Sequence, residues 1–598
     1  MRKGTLAKKF KIDTFFVKND LIAGITVALL LVPQSLAHAT LAGLPPQYGL
    51  YAALLPPVIA ALFGSCPQLA TGPAALMSIM TLAAITPLAA PGTQEYITYA
   101  VLLAFVMGVI LLITGVFKLG YFSNFLSHPV IYGFTNAAAL VIVATQLSAF
   151  FGITVQNQDR LYKTVIEVIN KAQQGTNFNT LYFGIAIFGF MYMLRKIDKK
   201  VPYVLIALIL STLFTWVTRY QTPIVGQIPS GFTPLSKVEV NAKVLETLVE
   251  SAAIMALIGF TEAISVAEVI ALKTKQKFNP NKELVGQGLA NIIGALGNSY
   301  PTSGSLSRTA INFDAGAKSW LSSLFTSLTV LVSIVFFTDL IYYLPKVALS
   351  AVILISIVGL FDFKKIVVMW HINRYDAWAA IITFITTLYF APELEKGVII
   401  GVFFSVGYFF YKNTKPKVAF LSLYKDKHLH NAEAFHLDVC ENIAVVRLDA
   451  PLFFANAQFF EDEVTRYLES HKKITDILFV GTGINEIDAT GEDLLEELVN
   501  HLKQAKKRIY FSALKNPVLA TIKESGFYNK VGGKNFYATT SQALGHITSN
   551  LEKLHLHTDK EHCPLEHYTK VDVESMTAKK ISRNRTAYYY EKLTNYLK

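Results

Sequence analysis

A polytopic α-helical membrane domain followed by a cytoplasmic α/β domain is the fold class this sequence predicts, and three observations carry it. Apolar residues fill 52% of the 598 positions and charged residues only 16%, against about 25% charged in typical soluble domains. Apolar runs of about twenty residues, enough to cross a hydrocarbon core about 30 Å thick, recur almost to residue 412 and then stop, and mean hydropathy is +0.40. From near residue 418 charges become frequent and apolar segments shorten to strand length. The organisation read from this is a basic cytoplasmic segment (1–19), a transmembrane domain (20–414), a cytoplasmic domain (418–550) and a basic, disordered tail (551–598).

Taking the membrane domain in order, apolar segments bounded by breakers give about fourteen candidate spans. They lie near 21–41, 48–63, 72–87, 97–117, 125–150, 179–194, 203–218, 245–271, 283–297, 303–315, 319–339, 345–360, 374–391 and 396–412. With the basic N-terminus inside, connections after even-numbered spans are also inside, and these carry "RKIDKK" (195–200), "KTKQKFNPNK" (273–282), "DFKK" (362–365) and "KNTKPK" (412–417). That is the positive-inside pattern, and it places both termini in the cytoplasm. The net charge of +12 is explained by these flanks and the tail rather than by nucleic-acid binding. The opening "MRKGTLAKKFKIDTFFVKND" lacks a secretory cleavage pattern, and three cysteines, Cys66, Cys440 and Cys563, offer no disulfide framework.

Two stretches interrupt the hydrocarbon pattern. "GSCPQLATGPAA" (64–75) and "GNSYPTSGSLSR" (297–308) are extended, Gly/Pro-punctuated pieces that each lead into a short apolar helix. Pro73 suits a first helical turn. Gln34 in the first span precedes the first piece by nearly the interval at which Glu262 in the eighth span precedes the second. Two seven-span halves with matching features suggest an internal repeat, inverted because seven is odd; paired broken helices of this kind point to a transporter's midplane site. A helix starting inside the membrane directs unsatisfied N–H groups and partial positive charge at whatever faces it, so two such starts make an anion site. Ser303, Ser305 and Ser307 add hydroxyl donors and Arg308 a fixed charge. The alternative is a kink whose serines bond back to the helix. Glu262 is an intramembrane carboxylate, costly and by default functional; it carries a coupling proton or cation, or else is a structural carboxylate bonded to helix ends.

These residues carry a resemblance. "LLLVPQSLAHATLAGLPPQYGLYAALLPPVIAALFGSCPQLATGPAALMSIM" (29–80), "HPVIYGFTNAAALVIVATQL" (128–147), "LIGFTEAISVAEVIA" (257–271) and "GSLSRTAINFDAGAKS" (304–319) resemble the sulfate-permease (SulP) anion transporters, whose animal relatives include pendrin and prestin. The resemblance implies a fold like that of uracil permease, with fourteen segments in 7+7 inverted repeats split into core and gate domains, and a homodimer. It implies an anion between the facing starts of the third and tenth segments. Carried over position by position, the substrate-binding neighbourhood is Gln34, His38, Ala74, Ala75, Ser305, Leu306, Ser307 and Arg308, with Glu262 at the position thought to couple a cation. His38 stands where many relatives have an aromatic residue, and Ala74 where some animal members have Phe; a histidine packed in the core is the other reading of His38.

Residues 443–526 alternate strands ("IAVVRLDAPLFFAN", "ITDILFVGTG", "RIYFSAL") with helices ("AQFFEDEVTRYLES", "GEDLLEELVNHLKQAKK", "NPVLATIKESG"). This unit resembles the STAS domain, a relative of anti-sigma-factor antagonists. There "IDATG" (487–491) matches the loop phosphorylated in antagonists, which makes Thr490 a regulatory candidate; the alternative is that its hydroxyl caps the following helix. The histidines and cysteine of "HLHTDKEHCPLEH" (555–567) fit no defined metal spacing.

The expected function is secondary active transport of a small inorganic anion in the cell membrane, first proton-coupled sulfate uptake. Sodium- or proton-coupled bicarbonate symport and chloride-linked exchange are the alternatives, and an anion channel or sensor is a further class. No cofactor or metal is implied. ATP-driven transport is disfavoured because "AGAKS" lacks the phosphate-loop form, and an enzyme because no nucleophile–base or metal-ligand constellation is present.

Overall fold

The computed structural model describes residues 17–565, apart from 122–125, 154, 156–159, 198–201, 228–236, 240, 338–340, 359, 427 and 554–562. Nearly all of the basic N-terminal segment and of the tail therefore lies outside the described residues. The chain divides into two compact units, 1–406 and 407–598.

In the first unit the apolar runs fold as helices. In chain order they are α1 Val17–Leu41, α2 Gln47–Ala52, α3 Leu55–Phe63, α4 Ala75–Ile85, α5 Gln94–Val116, α6 His128–Phe150, α7 Leu161–Gly175, α8 Phe178–Ile197 and α9 Tyr203–Thr218. The second half holds α10 Ala242–Thr274, α11 Pro280–Leu296, α12 Leu306–Asp314, α13 Leu321–Phe336, α14 Lys346–Ile357, α15 Phe363–Ile372, α16 Arg374–Phe390 and α17 Leu394–Thr414. Among the described residues six helices are long and apolar enough to cross a membrane: α1, α5, α6, α8, α10 and α17. Of the fourteen segments expected, several are shorter apolar helices, and the second is broken into α2 and α3 where "PP" at 56–57 starts a new helix. Helix α7 falls in what the sequence offers as a plain connection; its apolar residues lie on one stripe, with Thr164 and Val168 buried.

The outer surface of this unit is apolar. Ile209, Leu213, Trp216, Phe336 and Phe403 are all exposed, which a water-facing surface would not tolerate in such density but a lipid-facing one requires. Inside, small residues set the closest helix approaches. A Cβ on Gly108 would lie 2.8 Å from the Gly288 carbonyl oxygen, and one on Gly288 would lie 2.6 Å from the Leu112 nitrogen. Glycine at both positions lets α5 and α11 touch backbone to backbone, the small-residue packing of membrane helices.

The first unit also holds two two-residue strands, β1 Thr71–Gly72 and β2 Ser303–Gly304. The second unit is a six-stranded sheet: β3 Val418–Leu423, β4 Leu429–Asn431, β5 Ile443–Leu448, β6 Asp476–Val480, β7 Arg508–Ser512 and β8 Phe536–Tyr537, in the order β4-β3-β5-β6-β7-β8. Strands β5 to β8 are parallel and β3 runs antiparallel to β5. Helices α18 Ala432–Phe435, α19 Ala457–Ser470, α20 Ala489–Gln504, α21 Asn516–Glu524, α22 Phe527–Val531 and α23 Thr540–Lys553 complete it. Both faces of the central parallel strands β5, β6 and β7 are buried, as crossover helices demand. Val446, Phe479 and Phe511 point to the core under α19–α22, and Val445, Leu478 and Tyr510 to the core under α23.

Candidate functional site

The two interrupted stretches meet. Thr71–Gly72 (a two-residue strand) pairs antiparallel with Ser303–Gly304, with Thr71 opposite Gly304 and Gly72 opposite Ser303. The Ser305 N–H donates to the Ala70 carbonyl at 3.0 Å, and the Ala70 N–H donates to Thr309 Oγ1 at 2.9 Å. Gly304 sits where a Cβ would lie 3.0 Å from Leu69 and 3.1 Å from the Ala263 backbone. A side chain there would crowd the paired strands against α10.

From this pair both short helices start. Ala74 is the N-cap of α4 and Ser305 that of α12; both are extended, and no side chain caps either start. The first N–H groups of two helices are thus left without intrahelical partners at adjoining places, each end carrying partial positive charge. Pro73 is not in the first turn, as its sequence context suggested, but one residue before the cap. That position turns its carbonyl toward α12 and α1: Arg308 Nη1 donates to it at 2.7 Å, and His38 Nδ1 lies 3.2 Å from it.

The other candidate residues separate into two groups. Gln34, His38, Ala74 and Arg308 are buried; Ala75 and Ser305 are half-buried, and Leu306 and Ser307 are exposed. Ser305 Oγ and Ser307 Oγ lie 3.4 Å apart, within hydrogen-bond reach of each other. Arg308 is 1% exposed, and its Nε and Nη2 have no hydrogen-bond partner among the described residues. A buried guanidinium with two unanswered donors calls for negative charge nearby. With Thr71 and Asn312 it lines a cavity of about 10 Å³. Glu262, on α10, lies 3.5 Å from the Ser303 hydroxyl and feels the charge of Arg308.

A polar framework behind these residues was not picked out from the sequence. On α11, Glu283, Gln287 and Asn291 recur at every fourth position and form one buried stripe. Glu283 Oε2 accepts from the N–H groups of Ser65 (2.7 Å) and Cys66 (3.1 Å). Gln287 Nε2 donates to Glu283 Oε1 at 3.0 Å and to Thr71 Oγ1 at 2.8 Å. Asn291 accepts from the Thr302 N–H at 2.8 Å and donates to the Thr302 carbonyl at 3.1 Å. One helix thereby fixes both extended pieces. Ser78 Oγ and Tyr300 OH, 3.1 Å apart, and Asn312 Nδ2 donating to the Gln68 carbonyl at 2.9 Å tie them further. The spacing of Glu283, Gln287 and Asn291 was the available signal.

In the second unit, Thr490 does not cap the helix. Asp488 does: its Oδ1 accepts from the Gly491 N–H at 2.7 Å and its Oδ2 from the Phe454 N–H at 3.0 Å. Helix α20 therefore begins two residues earlier than expected and leaves Thr490 exposed in its first turn. Among the described residues no cluster of His, Cys, Asp and Glu could hold a metal ion.

Comparison with known proteins bears on both units. Residues 17–383 match the model of the sulfate permease family and residues 434–543 that of the STAS domain. The sequence is 32% identical over 571 residues to "Sulfate transporter 4.1, chloroplastic" of Arabidopsis thaliana, covering 90% of this chain and 82% of that one. The fold is similar to that of a solved structure of the murine anion transporter Slc26a9, described as inward-facing, with a TM-score of 0.81 at 22% identity over 91% of this chain and 93% of that one. The transmembrane domain of the cyanobacterial bicarbonate transporter BicA superposes with a TM-score of 0.57 at 24% identity, covering 66% of this chain and 99% of that domain.

Proposed function

We propose that this chain, which belongs to the sulfate permease family of multi-pass anion transporters and carries a STAS domain, is a secondary active transporter that couples sulfate uptake to protons by alternating access. The observation that carries this reading is the pair of uncapped helix starts at Ala74 and Ser305, held together by the Thr71–Gly72 and Ser303–Gly304 strands with Glu262 beside them. The name of the Arabidopsis relative supports sulfate as the first anion to test.

The anion lies against the N–H groups of Ala75, Leu306 and Ser307, with the Ser305 and Ser307 hydroxyls in reach and Gln34 and His38 closing the α1 side. Backbone donors suit an anion that must be released again, because they bring no counter-charge to strip away. Arg308, pinned to the Pro73 carbonyl, supplies positive potential from behind and keeps the two starts in register.

Glu262 supplies the coupling. Ionised, it repels an anion at the adjoining helix starts; two like charges ~5 Å apart at an effective dielectric of about 20 repel by roughly 3 kcal/mol. That is about a hundredfold in affinity. A proton on Glu262 removes this repulsion, so proton and anion favour each other's binding, and linkage makes the effect reciprocal. The architecture extends to fourteen segments in two inverted halves, for which the antiparallel pairing of the two strands is the support. Both termini face the cytoplasm of the cell membrane, as the basic connections indicate, and the chain works as a homodimer, as the family resemblance implies. Thr490, exposed beside a helix N-terminus, is where a phosphate would be read by the STAS domain.

Purified protein reconstituted in liposomes, given labelled sulfate or bicarbonate with an imposed proton or sodium gradient, tests this reading. Sulfate accumulation that collapses when the proton gradient is removed is the expected result. Accumulation of bicarbonate alone, dependence on sodium, chloride-linked exchange, or conductance without accumulation would replace it.

A further inference from the structure

Three cysteines scattered at positions 66, 440 and 563 give no hint of pairing in the sequence. In the fold two of them meet. Cys440 lies in the turn leading into β5, and Cys563 follows α23. Their sulfurs are 2.8 Å apart, with Cys563 donating to Cys440 across a sequence separation of 123 positions. Both thiols are buried in the core formed by Ile443, Val445, Leu544, Ile547 and Leu551, together with Leu565. Neither belongs to the transport site, and neither was assigned a role above.

We infer that Cys440 and Cys563 are a modification site: a dithiol that closes into a reversible disulfide when a peroxide reaches it. The distance is the main support. Sulfur atoms in contact need no backbone rearrangement beyond a small closing movement to bond, whereas cysteines merely near each other usually cannot. Electrostatics favour Cys440 as the attacking sulfur. The hydrogen bond from Cys563 holds its thiol below the usual range, down to about 7, which keeps part of it as thiolate at neutral pH.

The chemistry balances with peroxide as the named oxidant. The Cys440 thiolate attacks one peroxide oxygen, the O–O bond breaks, and the departing hydroxide takes up a proton as water. Cys440 is then a sulfenic acid. The Cys563 sulfur attacks the Cys440 sulfur, the S–O bond breaks, and the second oxygen leaves as water. Two thiols lose two electrons in total, and one peroxide becomes two waters. A small oxidant is required because both sulfurs are nearly sealed from solvent. The product ties the stretch carrying Cys563 to the strand β5 side of the STAS unit, and a dithiol reductant reopens it.

The test uses the full-length protein in detergent, treated with hydrogen peroxide, then denatured and labelled with a mass-shifting maleimide. Untreated protein carries three thiols; the expected result is one thiol after oxidation, a Cys440–Cys563 cross-linked peptide on non-reducing digestion, and return to three with dithiothreitol. Cys440→Ser and Cys563→Ser each should keep both remaining thiols, and Cys66→Ser should fall from two to none. Three thiols after treatment, a terminally oxidised Cys440 without cross-link, or a cross-link involving Cys66 or a second molecule would overturn the inference.

Discussion

The two helix starts share a backbone plan and differ in their side chains. The first, at Ala74–Ala75–Leu76, is apolar throughout and has only N–H groups to offer. The second, at Ser305–Leu306–Ser307–Arg308, brings two hydroxyls and a guanidinium, and sends that guanidinium back to the Pro73 carbonyl of the first. One start thus contributes backbone and steric room, and the other contributes chemistry and the bond that joins them. Substitutions in the two should fail in different ways.

The largest expected effect breaks the joint itself. Arg308→Ala removes the charge and the donor that ties α12 to the Pro73 carbonyl, leaving that carbonyl only the His38 ring, a loss of about 3 kcal/mol for a buried charged hydrogen bond. Transport measured in liposomes should fall at least a hundredfold. Near-normal uptake would show that the starts stay in register without it. Next is Glu262→Gln, which holds the site permanently neutral beside Ser303. Proton-driven accumulation should vanish while anion-for-anion exchange persists, because binding no longer depends on a proton; retained pH-dependent accumulation would remove Glu262 from the coupling step.

A finer change isolates the backbone role of the first start. Ala75 is the first helical residue, and Ala74 before it is already extended at φ −133° and ψ 146°, the conformation a following proline requires. Ala75→Pro should therefore fold with an unchanged melting temperature and yet lose one N–H, weakening anion affinity by about tenfold. The smallest effect belongs to the second start: Ser307→Ala removes an exposed hydroxyl and should weaken affinity by a factor of about 2–5. Reversal of that order would mean the side chains, not the backbone, hold the anion.

Much of this site was legible in the sequence because it rests on local signals. Gly and Pro mark the breaks, apolar runs mark the helices, and Tyr203–Thr218 was read with the bounds it has in the fold. What stayed hidden is non-local. A two-residue strand has no period to detect, so the pairing of Thr71 with Gly304 could not be read. Glu283 looks like an ordinary first-turn acid on α11, favourable at a helix start; the N–H groups it holds are 217 and 218 positions away. The capping role moved from Thr490 to Asp488 because either residue type satisfies a helix start and only the fold decides the register. Cys440 and Cys563 meet only because α23 packs on the back of the sheet.

The most direct measurement of the central claim is a titration of the transported anion followed at the ¹⁵N-labelled backbone amides of Ala75 and Ser307. Both amides should shift together with a single dissociation constant, as one anion touching both helix starts requires. Movement of only one amide, or of neither, at anion concentrations that saturate uptake would contradict it.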